Sequence, residues 1–82
     1  MTDAERTHAV SLDFDYDDER RARIVERSVR VEVSEIADSR SEASVARHGR
    51  TVTVAVDAAD LVALRAGVNT WTRLVAVAEE LT

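Results

Sequence analysis

The stretch that decides the fold covers residues 41–57 and reads SEASVARHGRTVTVAVD. In its second half, residues 51–57, three valines alternate with small or polar side chains, which predicts a strand with one buried face. Residues 41–47 alternate in the same way and predict a second strand. Between them, Arg47-His48-Gly49-Arg50 predicts a turn, because Gly49 adopts a positive φ without steric cost. The stretch therefore predicts an antiparallel hairpin.

A strand and a helix are predicted before the hairpin. Residues 8–16 alternate apolar with polar side chains and predict a strand with one buried face. Residues 18–31 change to a helical period, with aspartates at 17–18 as helix caps. The apolar stripe of this helix consists of Ala22, Val25 and Val29. Residues 34–40 are expected to form a connection, and the polar, aperiodic residues 1–7 a flexible tail.

The end of the chain predicts a long second helix. Asp57 is a suitable cap for it, and the periodic pattern runs to about Leu81. The predicted order is thus β-α-β-β-α, an α+β fold in which two helices pack on one face of a three-stranded antiparallel sheet. Residues 8–82 are expected to form a single domain.

Composition excludes several classes of protein. The chain has 82 residues, no Cys and two separate His, which excludes a disulfide scaffold and makes a metal site improbable. It has no apolar run near the roughly 18 residues that a membrane span needs, and no signal-peptide pattern at its start. We therefore expect a cytoplasmic protein without a metal, a cofactor or a membrane contact.

The charged residues are unusual in kind. Sixteen acidic residues exceed eleven basic ones, the formal net charge is −5, and every basic residue is Arg. An acidic, lysine-free chain rich in Ala and Val is typical of a salt-adapted cytosolic protein, because carboxylates retain water in concentrated salt. The alternative is the coding bias of a GC-rich genome alone.

The second helix has more apolar surface than one sheet can cover. Together its two apolar stripes span roughly 220° of the helix, whereas packing on a sheet needs about 100°. The first stripe is expected on the sheet and consists of Leu61, Leu64, Val68, Trp71, Val75 and Ala78. The second lies beside it and consists of Ala63, Gly67, Thr70, Leu74, Val77 and Leu81. The surplus predicts a further packing partner.

Small residues on this helix predict where that partner approaches. The expected docking set is Ala63, Ala66, Gly67, Thr70, Leu74 and Val77. Gly67 costs helix stability, about 1 kcal/mol relative to Ala, so a close contact there would explain it. The contact is either with a helix of another chain or with the first helix of the same chain. If it is with another chain, Gly67→Arg should leave the fold intact and abolish binding.

Arginines form a local basic face on an acidic chain. Candidate RNA-binding residues are Arg20, Arg23, Arg27 and Arg30 on the first helix, with Arg47 and Arg50 in the turn. The alternative is a solvated face in which these arginines pair with Glu19 and Glu26. The acidic balance of the whole chain argues against a free-standing nucleic-acid binder.

No catalytic pattern is present in the sequence. There is no Cys nucleophile, no Ser beside a suitable His and no glycine-rich phosphate loop, so we expect a protein that is not an enzyme. Asp13 and Asp15 are close enough in sequence for carboxylate chemistry, but they alternate on the polar side of a strand. A solvated acidic face is the simpler interpretation.

Residues 59–74, ADLVALRAGVNTWTRL, resemble a known signature. They are similar to the second helix of the small dimerising (Pcc-type) subunit of the KEOPS (EKC) complex, which is related to the cancer/testis antigen family. The resemblance extends over residues 8–81, and the acidic, lysine-free composition fits a haloarchaeal member. The matching motif positions include Asp60, Arg65, Asn69 and Arg73.

The resemblance implies a non-catalytic subunit. Such a subunit homodimerises, docks through its helices on the ASKHA-fold catalytic subunit, and supports N6-threonylcarbamoyladenosine modification of tRNA, which it helps to bind. It implies no small-molecule substrate. The homodimer surface is left open between the outer face of the sheet and a strand edge. A stand-alone RNA-binding α+β module is the alternative function, and a small carboxylate enzyme is the third.

Overall fold

A computed structural model describes residues 8–35 and 41–82. The predicted element order is confirmed, and the bounds of the elements are as follows. They are β1 (His8–Asp15), α1 (Glu19–Glu35), β2 (Ser41–His48), β3 (Thr51–Ala58) and α2 (Leu61–Glu79). The expected tail at residues 1–7 and most of the expected connection, residues 36–40, lie outside the described residues.

The sheet has the order β1-β3-β2, so the last strand in the chain is the central one. Both neighbours run antiparallel to β3, and Thr51 lies opposite Asp15 on one side and His48 on the other. The predicted hairpin is confirmed, with Gly49 at a φ of 61° in the two-residue turn. Glycine suits this position because a positive φ matches the twist of the paired strands.

One face of the sheet carries the core. Every second residue of β3 is fully buried there, beginning with Val52, because β3 has a neighbour on each side and helices above it. The same face receives Ala22, Val25 and Val29 from α1 and Trp71, Val75 and Ala78 from α2. The predicted α+β arrangement, with both helices on one face of the sheet, is therefore confirmed. We call the opposite side, which none of the five described elements covers, the outer face.

Helix α1 begins as expected and ends later. Asp18 accepts a hydrogen bond from the backbone N–H of Arg21 at 2.8 Å, which satisfies a donor of the first turn. The helix continues to Glu35, beyond the predicted end at residue 31. The alternating valines there are compatible with a strand, but Val29 and Val33 are one helical turn apart and both contact the core. Val31 between them is 57% exposed.

Helix α2 is capped by Asp60 and not by Asp57. The prediction of Asp57 as the cap is wrong, because β3 continues to Ala58 and places Asp57 in the sheet, opposite Ala9. Ala58 is fully buried, so the alternation of buried and half-buried residues in β3 continues past Asp57, where the sequence predicted the start of a helix. Asp60 instead accepts the N–H of Ala63 at 2.8 Å, as an N-cap does.

Tyr16 joins the end of β1 to the end of α2. Its backbone N–H donates to the carbonyl of Arg50 at 2.9 Å, and its hydroxyl donates to Oε2 of Glu79 at 2.8 Å. Burial raises the pKa of the Tyr16 hydroxyl, and the hydrogen bond to Glu79 and the negative charge of that carboxylate raise it further. The neutral phenol therefore holds the last turn of α2 against the rest of the fold.

We expect Tyr16→Phe to lower the free energy of unfolding by about 1 kcal/mol at neutral pH, because it removes one partly buried hydrogen bond. The pKa of Tyr16 is raised in the folded state, so its contribution is complete below the unfolded value of about 10 and is lost as the pH rises above it. The difference in unfolding free energy between wild type and variant should therefore shrink above about pH 10, in urea denaturation at several pH values.

The composition makes this test clean. The sequence contains no Lys, no Cys and a single Tyr, so Tyr16 is the one side chain whose unfolded-state pKa lies near 10. A difference between the two proteins that stays constant from neutral pH to pH values above 10 would contradict the assigned hydrogen bond.

Candidate functional site

Helix α2 exposes a large amount of apolar surface. Five large apolar side chains of the described residues are exposed, and four of them lie on α2 or in the turn after it. They are Leu61 at 65%, Val62 at 73%, Val77 at 58% and Leu81 at 66% exposure. The prediction that Leu61 packs on the sheet is wrong, because this residue lies in the first turn of α2, just beyond the end of β3. No residue in the ranges 8–35 and 41–82 covers these side chains.

Five of the six predicted docking residues form one flank of α2. Ala66 and Val77 are exposed, whereas Ala63, Thr70 and Leu74 are half-buried at its margin. On a helix with about 100° per residue these five positions fall within roughly 80° of one another. We call this set the docking flank. Its small residues leave room for the backbone of another helix, and its role in binding stays a prediction.

Gly67 does not belong to the docking flank. It is buried, and a Cβ atom at this position would lie 2.9 Å from Cγ1 of Val56. The glycine therefore permits a close approach between α2 and the central strand, which neither sequence alternative anticipated. The expectation that Gly67→Arg leaves the fold intact is wrong, because an arginine would have to enter the core beside Val56.

The motif positions on α2 divide into two groups. Asp60 is the N-cap described above, so its presence in the motif has a structural explanation. Arg65, Asn69 and Arg73 are exposed and follow one another at intervals of four residues. They form a polar ridge along the solvent side of α2, adjacent to the docking flank.

Four arginines surround a cavity of about 240 Å³ at the edge of the molecule. Arg23, Arg27 and Arg30 come from α1, and Arg47 comes from β2. Arg47 was expected with the turn, but it reaches this side because it lies on the same face of β2 as Ala43 and Val45, which point toward the helices. Its Nη1 donates to the carbonyl of Gly49 at 2.8 Å, which orients the guanidinium group. We call this cluster the arginine pocket.

Glu26 is the fifth residue that lines the arginine pocket, and it is only 3% exposed. It forms an ion pair with Arg30, whose side chain is 68% exposed. The expected pairing of the arginine face with Glu26 is thus present for Arg30. The other predicted RNA-binding residues, Arg20 and Arg50, do not line the pocket. The burial of Glu26 was not predicted, although Glu26 follows Val25, a residue of the apolar stripe of α1.

The outer face of the sheet carries the other charged cluster. Asp13 accepts a hydrogen bond from Thr53 Oγ1 and Asp15 one from Thr51 Oγ1, each at 2.6 Å, and both aspartates are exposed. This arrangement is the expected solvated acidic face. The described ranges contain no group of three or more acidic or His side chains that could hold a metal ion. They also contain no helix long and apolar enough to cross a membrane.

Comparison with known proteins gives one family and one fold. A family model described as "Pcc1: Transcription factor Pcc1" matches residues 9–82. A solved structure entitled "Crystal structure of binary complex Gon7-Pcc1" matches with a TM-score of 0.71 and 16% identity. The match covers 92% of this chain and 91% of that one, and at this identity it shows the fold alone. No curated protein matches the sequence.

We expect Gly67→Ala to destabilise the protein by up to about 2 kcal/mol. Crowding Val56 costs about 1–3 kcal/mol, because its branched side chain is packed in the core, and the better helix propensity of Ala offsets about 1 kcal/mol of this. In a Val56→Ala background the crowding is absent, so the same change should stabilise by up to about 1 kcal/mol. Urea denaturation of the four proteins measures both effects. Equal effects in the two backgrounds would show that Gly67 does not contact Val56.

Proposed function

We propose a function from the premise that this chain belongs to the Pcc1 family, whose model covers nearly all of it. The chain serves as a non-catalytic subunit of the KEOPS complex in the cytoplasm. It forms a homodimer, docks through α2 on the ASKHA-fold catalytic subunit, and so supports N6-threonylcarbamoyladenosine modification of tRNA. The acidic, lysine-free composition supports a salt-adapted archaeal member of the family.

The observation that carries this proposal is the exposed apolar side of α2. A helix that packs on one sheet has its core contacts on one stripe, and here Trp71, Val75 and Ala78 supply them. The docking flank and the exposed leucines and valines of α2 add apolar surface outside this core stripe. Burying them against a second helix would remove them from water, and Ala63 and Ala66 would allow the two helices to approach closely.

The acidic outer face does not favour an enzyme. Its aspartates lie on an uncovered sheet surface, and the Thr51 and Thr53 hydroxyls donate to them. A general acid or base works best in a site that excludes water and shifts its pKa. The outer face and the edges of β1 and β2 are instead the candidate surfaces for the homodimer, because α1 and α2 cover the other side.

Two alanines of α2 provide a matched test of the docking proposal. Ala66 lies on the docking flank and Ala76 lies about 80° away around the helix, and both are exposed. Ala66→Arg should weaken binding to the catalytic subunit more than tenfold, because it places a large unpaired charge in a packed contact. Ala76→Arg adds the same group to the same helix and should change the affinity less than threefold. Calorimetric titration measures both dissociation constants.

The homodimer is measured separately, by light scattering during size-exclusion chromatography. The expected mass is about twice the 9.1 kDa of one chain.

Equal effects of the two arginine substitutions would contradict the assigned flank. Absence of any binding to the catalytic subunit, combined with tight RNA binding by the isolated chain, would favour the stand-alone RNA-binding module.

A further inference from the structure

Helix α2 differs from the rest of the chain in the sign of its charges. Residues 61–78 contain no Asp or Glu, although the chain has sixteen acidic residues, and this is the longest acid-free stretch of the sequence. Its charged residues are Arg65 and Arg73, and both are exposed. The outer face of the sheet, by contrast, exposes Asp13 and Asp15. The solvent side of α2 is therefore a positively charged, partly apolar surface on an acidic chain.

Arg73 borders the docking flank. On a helix with about 100° per residue it lies about 20° from Ala66 and about 40° from Val77. Among the described residues it has no hydrogen bond and no ion pair. The positions three and four residues away along α2, where a helical ion pair would form, carry neutral side chains. The guanidinium group of Arg73 is thus available to another chain.

A helix seated on the docking flank would have to accommodate this guanidinium group. Covering Ala66 and Val77 also removes water from the neighbouring side chain of Arg73. A desolvated charge is strongly unfavourable unless another group replaces its water. A carboxylate replaces it best, because its two oxygens accept two parallel hydrogen bonds from one guanidinium group. The surface therefore fits an apolar helix that carries an acidic side chain at the edge of its contact.

The same charges disfavour a second copy of this chain paired through α2. Two such helices would bring two Arg73 side chains to the contact, and residues 61–78 of either copy offer no carboxylate to pair with them. The next acidic residue, Glu79, is half-buried and accepts the hydroxyl of Tyr16 at 2.8 Å. The charge pattern of α2 thus favours a different protein with an acidic helix.

We propose that Arg73 pairs with a carboxylate on the helix of the catalytic subunit that docks on α2, and that this pair selects that helix and fixes its position along α2. This inference rests on the proposed function. The two can nevertheless fail separately, because Ala66→Arg tests the docking flank, whereas neutralising Arg73 tests the ion pair.

The test is calorimetric titration of the full-length chain with the catalytic subunit. Arg73→Gln should weaken binding about tenfold, the loss expected for a charge-assisted hydrogen bond. Arg73→Lys should weaken it about threefold, because the charge remains but the two parallel hydrogen bonds are lost. Circular dichroism and urea denaturation of each variant separate a loss of binding from a loss of fold.

The control is Arg65→Gln, which removes the same charge from the same helix. Arg65 is exposed and lies about 80° from Arg73 around α2, on the side away from the docking flank. Like Arg73, it has no hydrogen bond or ion pair among the residues that the structure describes. Its replacement should change the dissociation constant less than threefold.

A double-mutant cycle identifies the partner carboxylate. Exposed Asp and Glu residues on the surface helices of the catalytic subunit are changed singly to Asn and Gln. One of these changes should weaken binding as much as Arg73→Gln does. Combined with Arg73→Gln, it should cost about fivefold less affinity or better than the product of the two single effects, because both remove the same pair.

Four results would overturn the proposal. Equal effects of Arg65→Gln and Arg73→Gln would show that net charge alone governs binding. An unchanged affinity for Arg73→Gln, with Ala66→Arg still harmful, would show that the arginine stays in water while docking stands. A change in the homodimer mass on Arg73→Gln, measured by light scattering, would assign this surface to a second copy. Absence of any binding to the catalytic subunit would overturn the proposed function as well.

Discussion

The close approach of α2 to the central strand is the contact on which the rest of the structure depends. Gly67 lies against Val56 with no space between them for a side chain, so the position of α2 over the sheet is fixed at that point. Trp71, Val75 and Ala78 then follow along the same stripe and complete the core. Because this stripe is narrow, Leu61, Val62, Val77 and Leu81 stay exposed, without an apolar partner among the residues that the structure describes. The same contact thus stabilises the fold and creates the surface that we assign to a partner.

Placing both helices on one face also separates the charges. The outer face of the sheet carries Asp13, Asp15, Glu42 and Asp57, whereas the arginine pocket lies at the margin of the helical side. A chain with a net negative charge therefore presents one acidic surface and one local basic one. Long-range attraction of a polyanion would be weak for such a protein, because its net charge is negative.

Much of the fold was predictable because local pattern and tertiary burial agree. The alternation of Val52, Val54 and Val56 and the glycine turn determine the hairpin, and Ala22, Val25 and Val29 determine the buried side of α1. The errors arose where two patterns overlap. Asp57 can end a strand or cap a helix, and the burial of Ala58, which only the assembled sheet determines, decides between them. The role of Gly67 and the meeting of Arg47 with α1 also depend on how elements pack, and the sequence pattern of a single element does not contain that information.

The two-residue turn at Gly49 has a consequence for how this chain can vary. Side chains of a strand alternate between the faces, so the length of the turn determines which residues of β2 point toward the helices. One inserted residue in the turn would move Ala43, Val45 and Arg47 to the outer face and bring Glu42 and Ser44 against the core. A single-residue insertion or deletion in this turn therefore exchanges the two faces of β2 unless a bulge absorbs it, whereas substitutions on the outer face leave the register unchanged. The length of the turn is therefore constrained by the need to keep the apolar residues of β2 facing the helices, although no side chain of the turn is itself buried.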